Sequence, residues 1–143
     1  MPNPSTPEAP SAPDQSSGQF KGQSGLKRLG PATRHSMDGL MATWRTESAF
    51  RQELALGLPL LVVAWTLEPD RWHAMLLSAV IVGVWVAELL NTGLEALCDR
   101  LTAEVDPAIK VAKDAGSAAV FLSLLLAGAC WGLWLFEFLD RLT

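Results

Sequence analysis

The chain has 143 residues, of which 50% are hydrophobic and only 18% charged, with a formal net charge of −4 and a mean hydropathy of +0.24. A soluble domain of this size must cover its surface with charge, so apolar content gathered into blocks reads as a small polytopic membrane protein. The acidic pI of about 5.1 and the lack of a lysine/arginine run exclude a nucleic-acid binder, whose affinity comes from neutralising phosphates. Two cysteines, Cys98 and Cys130, are too few for a disulfide framework and are expected to pack as small hydrophobes.

Residues 1–30, MPNPSTPEAPSAPDQSSGQFKGQSGLKRLG, are rich in proline, serine, glycine and glutamine. They carry too little apolar surface to offset the entropy of ordering, and a disordered tail is expected. No apolar core of about seven residues or more follows the charges, so a cleaved signal is not expected. The remainder, 31–143, is expected to form a single membrane domain.

Within it, residues 32–52 are predicted to form an amphipathic surface helix: from Pro31 to Glu53, Met37, Leu40, Met41 and Trp44 recur at helical spacing opposite Arg34, Asp38, Arg45 and Glu53. A first membrane helix is predicted at about 50–67, uncharged from Leu54 to Leu67, with Arg51 snorkelling and Pro59 bending it slightly. Glu68 to His73 reads as a tight polar turn, followed by a second membrane helix at 74–98. The uncharged stretch that begins at Ala115 predicts the third at 115–137. The fold class is thus all-α: a surface helix and three transmembrane helices.

Lysine and arginine gather before the first span (Lys21, Lys27, Arg28, Arg34, Arg45, Arg51) and between the second and third (Arg100, Lys110, Lys113). The other two connections hold only Arg71 and Arg141, so the N-terminus is expected in the cytoplasm. Trp65, Trp72, Trp131 and Trp134 then fall at the outer boundary, where indoles prefer to sit. That arrangement separates Cys98 and Cys130 by roughly 20 Å along the helix axes, too far to bond within one chain.

The second span ends in chemistry. Glu88, Asn91, Glu95 and Asp99 stand at i, i+3, i+7 and i+11 in AELLNTGLEALCD. At about 100° per residue the three carboxylates fall within roughly 40° of one another and form one polar stripe. Glu88 sits just inside the inner leaflet, where a carboxylate is expensive unless paired or partly wet, and functional by default. A polar patch holding helices together would need Asn91 alone. At headgroup depth Glu88 suits a general base for a lipid hydroxyl. Glu95, about 10 Å further along, suits Mg²⁺, which takes hard oxygen ligands and shares them with phosphates. Glu47 on the surface helix is the expected second metal carboxylate. Lys113, followed by Asp114, is placed to neutralise nucleotide phosphates, although as an isolated lysine it would read as a snorkelling anchor. Neither a GxxxxGK[ST] loop nor a kinase-type GxGxxG is present, so any nucleotide must be held by another fold.

The run AELLNTGLEALCDRLTAE, followed by AKDAGSAAV and preceded by ESAFRQE, resembles the small bacterial integral-membrane diacylglycerol kinases, a family that includes the undecaprenol kinases. The resemblance extends from about Arg28 to Trp134 and leaves out the proline-rich tail. It implies a homotrimer of three-helix subunits in the inner membrane, with composite sites at subunit contacts, that transfers the γ-phosphate of ATP to diacylglycerol. Carried over by residue, it implies Glu88 as proton acceptor, Glu47 and Glu95 on Mg²⁺, and Asn91, Lys113 and Asp114 completing the polar site. Arg28, His35 and Glu104 fall at nucleotide contacts; Ala49, Phe50, Arg51, Gln52, Glu53 and Ser117 fall on the lipid side. The chain departs from the pattern at His35, where the family often has tyrosine, and at Asp106 and Lys110. The resulting expectation is an ATP-dependent diacylglycerol kinase. The alternatives are an undecaprenol kinase with the same carboxylates, and a non-catalytic membrane subunit in which Glu88 and Asn91 relay protons.

Overall fold

The computed structural model describes residues 25–101 and 106–143, and among them the chain is helical with no strand. Four helices follow in order: α1 (Gly25–Thr46), α2 (Ser48–Leu67), α3 (Arg71–Leu101) and α4 (Pro107–Asp140). The all-α expectation holds, and α2, α3 and α4 are each long and apolar enough to cross a membrane. The 20 residues of α2 span about 30 Å, the hydrocarbon thickness. The 31 residues of α3 and 34 of α4 run well beyond it.

The chain divides into two units, one ending at Met37 and the other starting at Asp38. In the first, the described part of α1 is exposed, and its hydroxyls bond back along the helix, Thr33 to Leu29 O at 2.9 Å and Ser36 to Ala32 O at 3.0 Å. Residues 25–30, assigned from composition to the tail, are helical, and residues 1–24 lie outside the described residues.

In the second unit the expected helix 32–52 is two helices. Glu47 takes an extended conformation (φ −100°, ψ 118°) between α1 and α2. The Arg51 guanidinium reaches back to donate to Trp44 O at 3.0 Å and Arg45 O at 3.4 Å. Those last-turn carbonyls have no partner within α1, so Arg51 caps the first helix from inside the second. Further on, Asp70 begins α3 by accepting from Trp72 N at 2.8 Å, and Asp106 begins α4 by accepting from Ala108 N at 2.7 Å with Pro107 next in line. These caps place the helix starts earlier than the hydropathy boundaries at 74 and 115, because capping, not apolarity, decides where a helix begins.

α3 is the central element and packs against both α2 and α4. Its buried positions are Ala74, Leu77, Ile81, Val84, Glu88 and Cys98. The steps from 74 to 88 alternate three and four residues, the spacing of a seam between near-parallel helices. Ala64 of α2, Leu77 of α3 and Trp134 of α4 form the packed cluster on this seam, with Val63, Cys130, Trp131 and Phe138 around it. Phe50 of α2 is fully buried, while Leu56, Leu90, Leu122 and Phe136 stand outward and exposed. Outward-facing leucine and phenylalanine on span-length helices are what a lipid-facing surface requires. Both cysteines are free thiols, as expected.

Near the α2–α3 turn a buried carboxylate closes the bundle. Glu68 accepts from Asp70 N at 3.0 Å and from the Trp134 indole at 2.7 Å, and lies 3.4 Å from the Arg141 guanidinium. Burial alone would push this carboxyl up. The Asp70 N–H, the Trp134 indole and Arg141 more than offset it and hold the carboxyl below the usual carboxylate range.

Candidate functional site

The seam of α3 explains how the polar stripe is positioned. Continuing the three-four spacing beyond Glu88 reaches Asn91, Glu95 and Cys98, so the stripe occupies the face that further back buries Ala74, Leu77, Ile81 and Val84. Glu88 is only 5% exposed. Glu47, Asn91 and Glu95 are half-buried.

Around Glu88 the carboxylates converge. The charges of Glu47, at the α1–α2 break, and Glu95, two turns along α3, both bear on Glu88, and that of Glu88 bears on Glu53 of α2. Glu47 occupies the N-cap position of α2 yet makes no side-chain capping bond, which leaves its carboxylate free. Asn91 Nδ2 donates to Glu95 Oε1 at 3.0 Å and orients that carboxylate. Among the described residues no salt bridge neutralises Glu47, Glu53, Glu88 or Glu95; the nearby Lys113 is bonded instead to Asp99 Oδ1 at 2.8 Å. Glu47, Glu53 and Glu95 thus lie within electrostatic reach of Glu88, and among the described residues none of the four is in a salt bridge.

Two of the orphaned buried atoms define what opens beside them. Glu53 Oε2 and Trp131 Nε1 are buried without a hydrogen-bond partner, as are Asn91 Oδ1 and Thr92 Oγ1. Glu53 and Trp131 both line an apolar cleft of about 320 Å³ between α2, α3 and α4, walled by Gly57, Ile81, Trp85 and Leu124. An apolar cleft with a few unsatisfied polar atoms suits a mostly hydrocarbon ligand with polar groups. Trp85 rests on Gly57: a Cβ at position 57 would stand 2.6 Å from the Trp85 ring and 2.9 Å from Ile81.

Among the described residues no three His, Cys, Asp or Glu side chains are grouped to hold a metal ion. Glu47 and Glu95, neither of them in a salt bridge, are hard oxygen donors of the kind Mg²⁺ takes, and a pair of them would leave the rest of its shell to water and phosphate oxygens.

The other residues singled out in the sequence are dispersed. Asp114 pairs with Lys110 one turn earlier on α4, and Ser117, Ala49 and Gln52 are exposed. Phe50 is buried at 2% and packs inside the chain, and Arg51 is committed to the end of α1. His35 is exposed on the first unit. The side chain of Arg28 and the whole of Glu104 lie outside the described residues. Sequence reasoning passed over Trp85, Gly57 and Trp131 as parts of the cleft, since a tryptophan and a glycine in a membrane span carry no chemical signal. It also passed over the Glu68–Trp134–Arg141 cluster, whose members are up to 73 residues apart.

The family model described as prokaryotic diacylglycerol kinase matches residues 34–135. A protein named diacylglycerol kinase from Pseudomonas aeruginosa is 44% identical over 112 residues, covering 78% of this chain and 91% of that protein. Proteins of the same name from Escherichia coli and Helicobacter pylori are 37% and 38% identical, covering 75% and 78% of this chain and 88% and 87% of theirs. The matched span contains Glu47, the cleft, the Glu88 stripe and Lys113, and the chain belongs to the prokaryotic diacylglycerol kinase family.

Proposed function

We propose that this protein is an ATP-dependent diacylglycerol kinase that moves the γ-phosphate of ATP to the free hydroxyl of a membrane diacylglycerol, with Glu88 as general base. The observation that carries this reading is the continuity between cleft and carboxylates: the apolar cleft is lined by Glu53, whose Oε2 is buried without a partner, and Glu53 lies within electrostatic reach of the buried Glu88. A lipid with its hydrocarbon in the cleft would bring its hydroxyl toward Glu88. The hydroxyl oxygen attacks the γ-phosphorus, the bond to the ADP oxygen breaks, and the hydroxyl proton passes to Glu88. The burial of Glu88 supports the assignment, since a base screened from water meets the proton of a bound hydroxyl and not one from solvent.

Glu47 and Glu95 would hold Mg²⁺, which when bound offsets the charge of the phosphates. Asn91 orients Glu95, and Lys113, steadied by Asp99, faces the same end of the bundle as a cation for the nucleotide, with Asp114 beside it. Arg28, His35 and Glu104 belong to the nucleotide side of this proposal; Ala49, Phe50, Arg51, Gln52, Glu53 and Ser117 belong to the lipid side. Among the described residues a single chain offers two metal carboxylates and no group of three, which supports a homotrimer with sites completed between subunits. The lysine and arginine distribution supports the bacterial inner membrane with the N-terminus in the cytoplasm.

The test is incubation of the purified protein in mixed micelles with Mg²⁺ and γ-labelled ATP, with diacylglycerol and undecaprenol as separate acceptors. Labelled phosphatidate is the expected product. Label confined to undecaprenyl phosphate would transfer the assignment to the sister activity, and no labelled lipid with either acceptor would overturn the kinase reading.

A further inference from the structure

The Asn91 side chain is held in one orientation by what stands on either side of it. Its amide nitrogen donates to Glu95 Oε1 at 3.0 Å, and since a carboxylate only accepts, the nitrogen must face Glu95 and the oxygen must face away. On that other side is Gly116 of α4. Asn91 Oδ1 lies directly in the space a Cβ at position 116 would fill, with Leu94 Cδ2 at 3.2 Å and Asn91 Cγ at 3.5 Å from the same point. The oxygen is buried there with no hydrogen-bond partner. A buried carbonyl without a donor is an unfavourable arrangement, and it persists here together with the bond to Glu95.

We infer that Gly116 is a positioning residue for the phosphoryl-transfer site: its missing side chain is what lets the Asn91 amide lie against α4 and hold Glu95 in place. The inference rests on the proposed role of Glu95 toward the metal. Close approach of backbone does not account for this glycine. A glycine within a helix is less favourable than alanine, and the nearest obstacle at position 116 is the tip of one flexible side chain, not backbone. A methyl group can be accommodated by rotating Asn91, with Leu94 yielding a few tenths of an ångström. The fold therefore tolerates alanine, whereas the Asn91–Glu95 bond does not.

The experiment compares Gly116→Ala, Asn91→Ala, the double variant and Glu95→Gln in the full-length protein in micelles. Mn²⁺ binding is read by electron paramagnetic resonance with a non-hydrolysable ATP analogue present, alongside kcat, the KM for diacylglycerol and thermal unfolding. Groups that orient a metal ligand typically contribute 10- to 100-fold in metal affinity or activity. Gly116→Ala is expected to weaken Mn²⁺ binding and lower kcat by about tenfold or more, with the lipid KM within about twofold and unfolding unchanged. The double variant is expected to be no worse than Asn91→Ala, because the side chain that collides is already gone. Wild-type Mn²⁺ affinity in Gly116→Ala, or full additivity of the two losses in kcat, would overturn the inference. Should Gly116→Ala fail to fold, the double variant decides: its folding supports Asn91 as the obstacle, and its failure refutes it. Glu95→Gln separates the two levels, since wild-type Mn²⁺ affinity there sinks the metal reading and leaves Gly116 to be judged on the kcat cycle with Asn91.

Discussion

Replacing Glu68 by alanine tests whether the bundle is closed at the α2–α3 turn by one buried carboxylate. The Glu68 side chain is 2% exposed and accepts from Trp134 Nε1 at 2.7 Å and Asp70 N at 3.0 Å, with Arg141 at 3.4 Å. Asp70 is exposed, so its freed N–H finds water, but the Trp134 indole sits in the packed cluster with Ala64 and Leu77 and finds none. An orphaned buried donor costs about 1–3 kcal/mol, and charge-assisted bonds are at the upper end of the range. Glu68→Ala is therefore expected to lose about 3 kcal/mol of stability. Glu68→Gln keeps one carbonyl oxygen for Trp134 and is expected to lose about 1 kcal/mol. The assay is reversible unfolding by sodium dodecyl sulfate in mixed micelles, followed by tryptophan fluorescence. Because the cluster joins the start of α3 to the end of α4, far along both helices from Glu88, kcat of the folded variant should stay within about twofold of wild type, by the independence of distant sites. A stability within about 0.5 kcal/mol of wild type, the ordinary scatter for a surface change, would refute the reasoning.

The same cluster has a pH signature. A carboxyl held below its ordinary value stabilises the fold fully above the unfolded-state pKa, about 4.3 for glutamate, and that contribution fades as pH falls toward the depressed folded value. The stability difference between wild type and Glu68→Gln should be constant from about pH 6 to 8 and shrink below about pH 4. His73, 3.8 Å from both Glu68 and Asp70, should be held constant as His73→Gln in a control series. At the other end of the bundle, Glu88→Gln should lower kcat by about 10²- to 10⁴-fold while leaving assembly intact, as loss of a general base does; a folded variant within about threefold of wild type would exclude that role. Gly57→Ala should push the Trp85 ring into the cleft, at an overpacking cost of about 1–3 kcal/mol partly offset by better helix propensity. It is expected to raise the KM for diacylglycerol with little change in that for ATP, and an unaltered lipid KM would count against the cleft as the acceptor's site.

The sequence alone determined the fold class and pointed to a candidate site. Apolar runs long enough to cross a bilayer can satisfy their backbone only as helices, so hydropathy sufficed for three spans. A carboxylate at 88, just inside the inner leaflet, is too costly there to be incidental, so spacing alone singled out Glu88 and Glu95 as the candidate centre. Helix limits were not. The break at Glu47 depends on Arg51 reaching back to Trp44 O and Arg45 O, and the early start of α4 on Asp106 capping Ala108, interactions that hydropathy does not contain. The tertiary structure alone decided which groups face one another across helices. Glu47 and Glu53 come to Glu88 because the seam of α3 carries that carboxylate inward, and Glu68 meets Trp134 because α4 runs the length of α3. In a span, alternation between lipid-facing and protein-facing positions is blurred, since both are apolar; the buried face of α3 becomes visible only where packing with α2 and α4 removes it from lipid. For that reason Gly57, a small residue in a hydrophobic run, and Gly116, one position of the AKDAGSAAV motif, acquire structural meaning only from the side chain that lies against each: Trp85 on one, Asn91 on the other.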